Sequence, residues 1–162
     1  MNRSTRLFLL SVVVLTSCHH SGEQALYYLP NHFTGNAIVV FNQPDGTPIE
    51  YSEGRRVYRV PPNGILKSQF TPNPGLHVPD EYWYIDVHHN PLKTLRFIDR
   101  ISDADKLSSD TICCGVAPVT DSNTPRTHYL TLVVSPLRTV DSIYELQIAA
   151  ISKVSDELKG KK

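Results

Sequence analysis

The sequence predicts a mainly β domain of the α+β class, an antiparallel β-sandwich of six or seven strands with one amphipathic helix at its C-terminal end. Three observations support this fold. Short runs rich in β-branched and aromatic residues recur between residues 36 and 135, and turns rich in proline, glycine and asparagine separate them. From residue 139 onward the apolar residues recur every three to four positions, which is the period of a helix.

The chain begins with a leader that predicts secretion. Two arginines precede an apolar run at residues 7–15, which is shorter than the roughly 20 residues of a membrane-spanning helix. Leu15-Thr16-Ser17-Cys18 resembles the lipobox of bacterial lipoproteins, in which the cysteine becomes the first mature residue and carries the lipid. We therefore expect residues 1–17 to be a cleaved lipoprotein signal peptide and Cys18 to be lipidated. An ordinary secretory leader with a chance cysteine is the alternative.

The rest of the chain divides into a short tether and one domain. Residues 18–25 predict a lipidated polar tether, and residues 26–162 a single β-rich domain with its helix at about residues 139–159. His19 stands where many lipoproteins retained at the inner membrane carry an aspartate. We therefore expect the protein in the cell envelope, at the outer membrane, with the side of that membrane left open.

The charge balance limits the classes of partner. The chain has 16 basic and 16 acidic residues, and no long block of one sign that would predict a nucleic-acid partner or a polybasic membrane contact. Attachment to the membrane would therefore depend on lipid at Cys18. The domain itself is expected to bind an envelope protein or a glycan, and to carry no cofactor.

The first predicted strands follow from apolar patterning. Asn36–Asn42 is a continuous apolar run, which is typical of a strand covered on both faces, and Gln43-Pro44-Asp45-Gly46 ends it as a turn. Arg56–Val60 alternates and predicts a second strand. After the turn at Pro61-Pro62-Asn63-Gly64, Ile65–Phe70 predicts a third.

Tyr82–His89 predicts the strand with the clearest alternation, with its tryptophan, isoleucine and valine on the core face and its tyrosines on the other. The antiparallel register that keeps apolar residues together pairs Val87 with Leu95 through an odd-length loop. The same register predicts a cross-strand ion pair between Asp86 and Arg96.

Thr111–Pro118 and His128–Ser135 predict the last strands before the helix. The residues expected in the core are drawn from four of the predicted strands. They are Val39, Phe41, Trp83, Ile85, Val87, Leu95, Phe97, Leu132 and Val134.

Asp86, His88 and His89 are the candidate metal ligands, because carboxylate and imidazole groups bind zinc in sites without thiols. Asp86 and His88 share one face of the predicted strand, and a third ligand would come from elsewhere in the chain. The alternative is that Asp86 pairs with Arg96 and both histidines are solvated at a hairpin tip. The residues available as further ligands are His77, Glu81 and His128.

The adjacent pair Cys113-Cys114 is a candidate redox site. Neighbouring cysteines close a disulfide only through a strained ring, and strained disulfides are easily reduced. Neighbours on a strand point to opposite faces, however, so the alternative is that one sulfur lies in the core as a small apolar group.

Arg55, Arg56 and Arg59 form a basic cluster that could bind an anion such as a glycan or a lipid head group. The alternative is a solvated strand face whose charges discourage edge-to-edge aggregation. The chain has no nucleophile elbow, no H-E-x-x-H motif and no glycine-rich phosphate loop. We therefore expect a binding or structural module that is not an enzyme, with a metal-dependent protein using Asp86 and His88 as the alternative.

A set of motifs in the first half of the domain resembles a family of short bacterial lipoproteins that is known only as a domain of unknown function. The resemblance is closest over residues 29–70 and looser over residues 82–99, and it implies no catalytic residue, cofactor or substrate. The motifs are Leu29-Pro30, Gly35, Phe41-Asn42-Gln43, Gly46, Arg56-x-Tyr58 and Pro61-x-x-Gly64-Ile65-Leu66-x-x-Gln69.

More distantly, the order of an apolar strand, a P-D-G turn, a second strand and an N-G turn is similar to transthyretin-like and carboxypeptidase-regulatory-like sandwiches. Such modules are structural or binding domains. The likeness is one of fold, and fold alone implies little about function.

Overall fold

The computed structural model describes residues 22–73, 79–98 and 128–136, the backbone of residues 112–117, and residue 152. Ten strands occur in these residues. They are β1 (Ala25–Pro30), β2 (Gly35–Val40), β3 (Tyr51–Ser52), β4 (Arg55–Arg59), β5 (Ile65–Lys67), β6 (Glu81–Ile85), β7 (Pro91–Thr94), β8 (Arg96–Phe97), β9 (Ile112–Ala117) and β10 (Tyr129–Pro136).

The strands form two five-stranded sheets. Sheet I has the order β3-β4-β1-β6-β7, and sheet II has the order β5-β2-β10-β9-β8. The mainly β architecture is confirmed, but the prediction of purely antiparallel sheets is wrong. In sheet I, β1 is parallel to both β4 and β6; in sheet II, β2 is parallel to β5 and β8 to β9.

The parallel pairs follow from the way the chain alternates between the sheets. It runs from β1 in sheet I to β2 in sheet II, returns to β3 and β4, crosses again to β5 and returns to β6. After these crossings, β4 and β6 run in the direction of β1, and β5 runs in the direction of β2, whereas β3 runs opposite to β4. An all-antiparallel sandwich would result if consecutive strands paired within one sheet, which is the commoner arrangement.

The two sheets pack through one buried core, so the fold is a β-sandwich. A row of three tyrosines lies on the inner face of sheet I: the ring of Tyr27 stacks on that of Tyr58 at 4.9 Å and on that of Tyr82 at 5.1 Å between centroids. Sheet II contributes small and branched residues to the same cluster. These are Ala37, Val39, Leu66, Leu132 and Val134.

The apolar run in β2 is buried on both faces, as predicted: each residue of 37–40 is at most 1% exposed. The predicted turn before β5 is also present. Gly64 adopts a φ of +77° there, and a Cβ at this position would collide with the carbonyl oxygen of Asn36. This turn therefore requires glycine for its backbone angle. Glycine is also needed because the backbone at Asn36 passes too close to leave room for a side chain.

Two of the segments that connect the sheets close the sides of the sandwich. On one side, Thr47 bridges to Ser68 beside β5, and the chain then continues into β3 at the edge of sheet I. On the other side, β7 pairs with β6 in sheet I, and after Leu95 the chain pairs as β8 with β9 in sheet II. These crossings shorten the edge strands, which limits edge-to-edge association.

The hairpin of β6 and β7 differs from the predicted one in register. Trp83 lies opposite Thr94, and Leu95 N donates to Tyr82 O at 2.7 Å, so the predicted pairing of Val87 with Leu95 is wrong. Strand β6 ends at Ile85, where a register shift breaks the alternation.

The predicted inner face of β6 is also wrong. Tyr82 and Tyr84 are buried in the core, whereas Trp83 is half-buried on the opposite face. Val87 lies in the turn and is 88% exposed, and Phe97 on β8 is 41% exposed. The predicted face is wrong because the alternation treats tyrosine as polar. Its ring is large and apolar, and here it is buried in the core. The remaining core predictions are confirmed: Val39, Phe41, Ile85, Leu95, Leu132 and Val134 are buried.

Strands β9 and β10 confirm two predicted strands, with each bound displaced by one residue. The predicted helix at about 139–159 lies outside the described residues, apart from residue 152, and so does the predicted leader at 1–17. No helix among the described residues is long and apolar enough to cross a membrane.

Candidate functional site: the outer face of sheet I

The outer face of sheet I presents a row of four residues in register across four strands. Arg59 on β4 lies beside Tyr28 on β1, which lies beside Trp83 on β6, which lies opposite Thr94 on β7. Because Tyr27 and Tyr82 point into the core, alternation turns these neighbours outward. We call this set the outer row.

Tyr28 and Arg59 form the first half of the outer row. The Arg59 guanidinium lies over the Tyr28 ring at 4.9 Å from its centroid, in a cation–π contact. The same guanidinium donates to both carboxylate oxygens of Glu50, at 2.7 and 3.2 Å. The hydrogen bond from Arg59 lowers the pKa of Glu50 below its ordinary value, and the same bond raises the pKa of Arg59. Both groups therefore stay charged at neutral pH.

Trp83 is oriented by a second group of charges. Its indole Nε1 donates to Glu81 Oε2 at 3.1 Å, and Glu81 Oε1 accepts from Arg55 Nη1 at 3.0 Å. Arg55 also donates to Glu53 at 2.6 Å. The Trp83 ring is therefore held in place on the sheet by a chain of hydrogen bonds, while part of its surface stays in contact with solvent.

The three arginines of the predicted anion-binding cluster are placed apart. Arg55 and Arg59 lie on the outer face, each paired with carboxylates, whereas Arg56 points inward and is 8% exposed. Anion binding by these residues stays a prediction, but each guanidinium is already matched by at least one carboxylate in the described structure.

Arg56 is the centre of a polar cluster at the start of β1, which we call the N-terminal clamp. Its guanidinium donates to the Glu23 carboxylate and to Thr71 O, and it lies over the Phe70 ring at 4.8 Å. Burial alone lowers the pKa of Arg56, but hydrogen bonds with Tyr58 and Glu23 raise it above its ordinary value. The buried guanidinium therefore stays charged.

The backbone at Glu23 is also held. Glu23 N donates to Asn73 Oδ1 at 2.9 Å, and Asn73 Nδ2 donates back to Glu23 O. Two residues later, Ala25 N donates to Asp80 Oδ1 at 2.9 Å. The N-terminal clamp thus holds residues 23–25 at the start of β1 against the rest of the sandwich.

The candidate metal ligands lie at the tip of the β6–β7 hairpin. The carboxylate of Asp86 accepts from His88 N and Asn90 N at 2.8 Å and from Asn90 Nδ2 at 3.0 Å. These bonds, chiefly those from Asn90, lower the pKa of Asp86. The predicted ion pair between Asp86 and Arg96 is wrong, because Arg96 lies on β8 in sheet II.

The structure places His88 and His89 in the same turn, where both are exposed. In the described part of the chain, no group of three or more histidine, cysteine, aspartate or glutamate residues could hold a metal ion. His77 lies outside the described residues. For Cys113 and Cys114 the structure gives only the strand pairing, with β8 on one side and β10 on the other.

Sequence reasoning missed the outer row for two reasons. Strand β1 was not predicted, because Leu26-Tyr27-Tyr28-Leu29 shows no alternation, and Trp83 was assigned to the core. The alternation in β6 was the one sequence signal that could have indicated the outer row. It places Trp83 and the tyrosines on opposite faces of the strand, but it does not show which face packs into the core.

Three comparisons relate the chain to known proteins. A family model, described as a family of unknown function (DUF6843), matches residues 21–109. A search of the curated proteins found no match. Among solved structures, the chain is similar to a presumed lipoprotein from Bacillus anthracis, with a TM-score of 0.52 and 16% identity over 69% of each chain. At this identity the likeness shows a shared fold.

Proposed function

The chain belongs to the DUF6843 family, whose function is unknown, and we propose that it is a lipid-anchored protein of the cell envelope that binds a partner without catalysing a reaction. The observation that carries this proposal is the N-terminal clamp. Glu23 is bound to Arg56 and Asn73 only five residues after Cys18 in the sequence.

A tether of five residues spans at most about 17 Å when fully extended. Lipid on Cys18 would therefore hold the clamp end of the sandwich close to the membrane surface. Strand β1 leads away from the clamp, and the β6–β7 hairpin tip lies at the opposite end of the sheet, because β6 is parallel to β1. An anchored domain that presents one end to the membrane and its sides to a partner fits this arrangement.

Two further observations support the proposal. The leader ends in a lipobox-like sequence at Cys18. The solved structure that shares the fold is described as a presumed lipoprotein. We propose a non-catalytic role because the sequence contains no nucleophile elbow and no H-E-x-x-H motif.

The test is metabolic labelling with radioactive palmitate in a bacterial host that expresses the full chain. We expect label in the wild-type protein and none in the Cys18→Ala variant. A variant with Cys113→Ala and Cys114→Ala is the matched control and should keep its label. Lack of label in the wild-type chain, or label that persists without Cys18, would refute the anchor.

The finer location is also testable. We propose attachment to the outer membrane, because His19 follows Cys18 in place of the retaining aspartate. In a host with two membranes, the labelled wild-type protein should fractionate with the outer membrane, and the His19→Asp variant should shift to the inner membrane. Equal distribution of the two proteins would contradict the sorting proposal and leave the lipid anchor intact.

A further inference from the structure

We infer that the outer face of sheet I binds an uncharged glycan strand, with Trp83 as the platform on which a sugar ring stacks. The inference rests on the proposed function, because it names the class of partner that the anchored domain would hold. It depends on three features of the outer row: its extent, its aromatic groups and its charge balance.

The extent of the outer row suits a linear polymer. The row crosses four neighbouring strands from Arg59 to Thr94. Strands in a sheet lie about 4.8 Å apart, so the row spans about 14 Å. This length accommodates a few linked sugar rings laid across the strands. Because the row runs across β1 and β1 leads away from the clamp, a polymer lying along the membrane surface would meet the row lengthwise.

The aromatic groups supply the stacking surface. Sugar rings present C–H bonds with partial positive charge, and the face of an aromatic ring is electron-rich. The indole of Trp83 is held by Glu81, so little side-chain entropy would be lost when a sugar binds to it. Beside it, Arg59 occupies the space over the Tyr28 ring. Trp83 is therefore the platform, and Arg59 is a hydrogen-bond donor next to it.

The charge balance favours an uncharged ligand. On this face the guanidinium groups of Arg55 and Arg59 are met by the carboxylates of Glu50, Glu53 and Glu81. An anionic polymer would have to compete with these carboxylates for the guanidinium groups. The paired groups still have donor and acceptor capacity beyond their mutual bonds, which suits the hydroxyl groups of a neutral sugar.

The three carboxylates on this face favour a glycan over a protein partner. Glutamate is depleted at protein–protein interfaces, and a protein that covered Glu50, Glu53 and Glu81 would have to bury their charges. On the outer face, charged groups lie directly against both aromatic residues. A glycan leaves such groups partly hydrated and so avoids most of this desolvation cost.

The test uses the purified, lipidated full chain in a zwitterionic detergent. Trp83 is the single tryptophan of the sequence, so its fluorescence reports on this face alone. We titrate with two uncharged oligosaccharides, cellotetraose and N-acetylchitotetraose, and with anionic dextran sulfate. We expect the fluorescence emission of Trp83 to change saturably with at least one neutral oligosaccharide and to stay unchanged with dextran sulfate.

Variants then locate the binding, measured by isothermal titration calorimetry. Trp83→Ala should weaken glycan binding at least tenfold. Tyr51→Leu is the matched control, since Tyr51 is a 49% exposed aromatic residue on the edge strand β3, away from the outer row, and it should bind like the wild type. Circular dichroism checks that each variant is folded.

If Trp83→Ala does not fold, Thr94→Arg replaces it. Thr94 is exposed at the end of the outer row, so the change crowds the row without disturbing the core. It should weaken binding at least threefold. Failure of both neutral oligosaccharides to bind the folded protein, binding of dextran sulfate alone, or unchanged binding in the outer-row variant would overturn the inference. Palmitate labelling at Cys18 is measured separately, so these results leave the anchor unaffected.

Discussion

Both faces of sheet I carry aromatic residues at neighbouring positions of β1 and β6, but the residues that surround them differ between the two faces. On the inner face, Tyr27 stacks between Tyr58 and Tyr82 within a core that also contains residues of sheet II. On the outer face, one position further along β1 and β6, Tyr28 and Trp83 are half-buried and held by arginine and glutamate side chains. Aromatic content therefore does not distinguish core from surface in this sheet; the charged partners do.

The largest expected effect tests the inner face. Tyr58→Ala should lower the free energy of unfolding by about 3–5 kcal/mol, because it removes a buried ring and leaves a cavity between the sheets. Tyr28→Ala on the outer face should cost about 1 kcal/mol, since that ring is already in contact with solvent. Urea denaturation of the two variants measures both values.

Tyr58→Phe is the control for that comparison. It keeps the stacked ring and removes the hydroxyl that interacts with Arg56, so it should cost about 1 kcal/mol. If Tyr28→Ala proves as destabilising as Tyr58→Ala, then the outer face is part of a buried interface, and the contrast between the two faces is wrong.

The second expected effect concerns the N-terminal clamp. Arg56→Met should lower the free energy of unfolding by about 2 kcal/mol, because the apolar side chain cannot satisfy Glu23 or Thr71 O. The destabilisation should be concentrated around the N-terminal clamp. Amide hydrogen exchange at residues 23–25 should accelerate, while exchange in β2 stays slow.

The matched change on the outer face is Arg59→Met, which removes a side chain that is 33% exposed, compared with 9% for Arg56. It should cost less than about 1 kcal/mol, and leave exchange at residues 23–25 unchanged. Equal exchange in the two variants would show that the N-terminal clamp does not hold the tether.

The sequence allowed some of this fold to be predicted and not the rest, for physical reasons. The run Asn36–Asn42 was recognisable because a strand buried on both faces is apolar throughout. Strand β1 was not, although it is as long as β2, because two tyrosines lie at its centre and both of its partners are parallel strands distant in sequence. The predicted register of β6 and β7 was wrong because the pairing shifts by a residue after Tyr84, and no residue pattern in the sequence indicates that shift.

The candidate site shows the same limit. Arg55 and Arg59 were recognisable as basic residues on the outer face of a strand. Their carboxylate partners were not, because Glu81 lies 26 residues from Arg55 and Glu50 lies nine residues from Arg59. Pairing at such separations depends on the order of strands in the sheet, which the local pattern does not contain.

A third, smaller effect tests how Trp83 is held. Glu81→Gln keeps the shape of the side chain and removes its charge, so it weakens the bonds to Arg55 and to the indole without emptying the site. The free energy of unfolding should change by less than about 1 kcal/mol, because the groups are partly exposed. The fluorescence anisotropy of Trp83 should fall as the ring becomes more mobile. Glu53→Gln, which contacts Arg55 alone, should leave the anisotropy unchanged; an equal fall in both variants would show that Glu81 does not orient the ring.

The smallest expected effect is the pH dependence that Glu50 contributes to stability. Its pKa is lowered in the folded protein by the hydrogen bond from Arg59, so the unfolded chain binds a proton at a higher pH than the folded one. This contribution is therefore present above the unfolded pKa of a glutamate and is lost as the pH falls through the lower, folded value. The Glu50→Gln variant has no such group, so the difference in melting temperature between wild type and variant should shrink as the solution is acidified. A difference that stays constant across that range would mean that Glu50 and Arg59 do not interact as an ion pair in solution, and that Arg59 stacks on Tyr28 without help from the carboxylate.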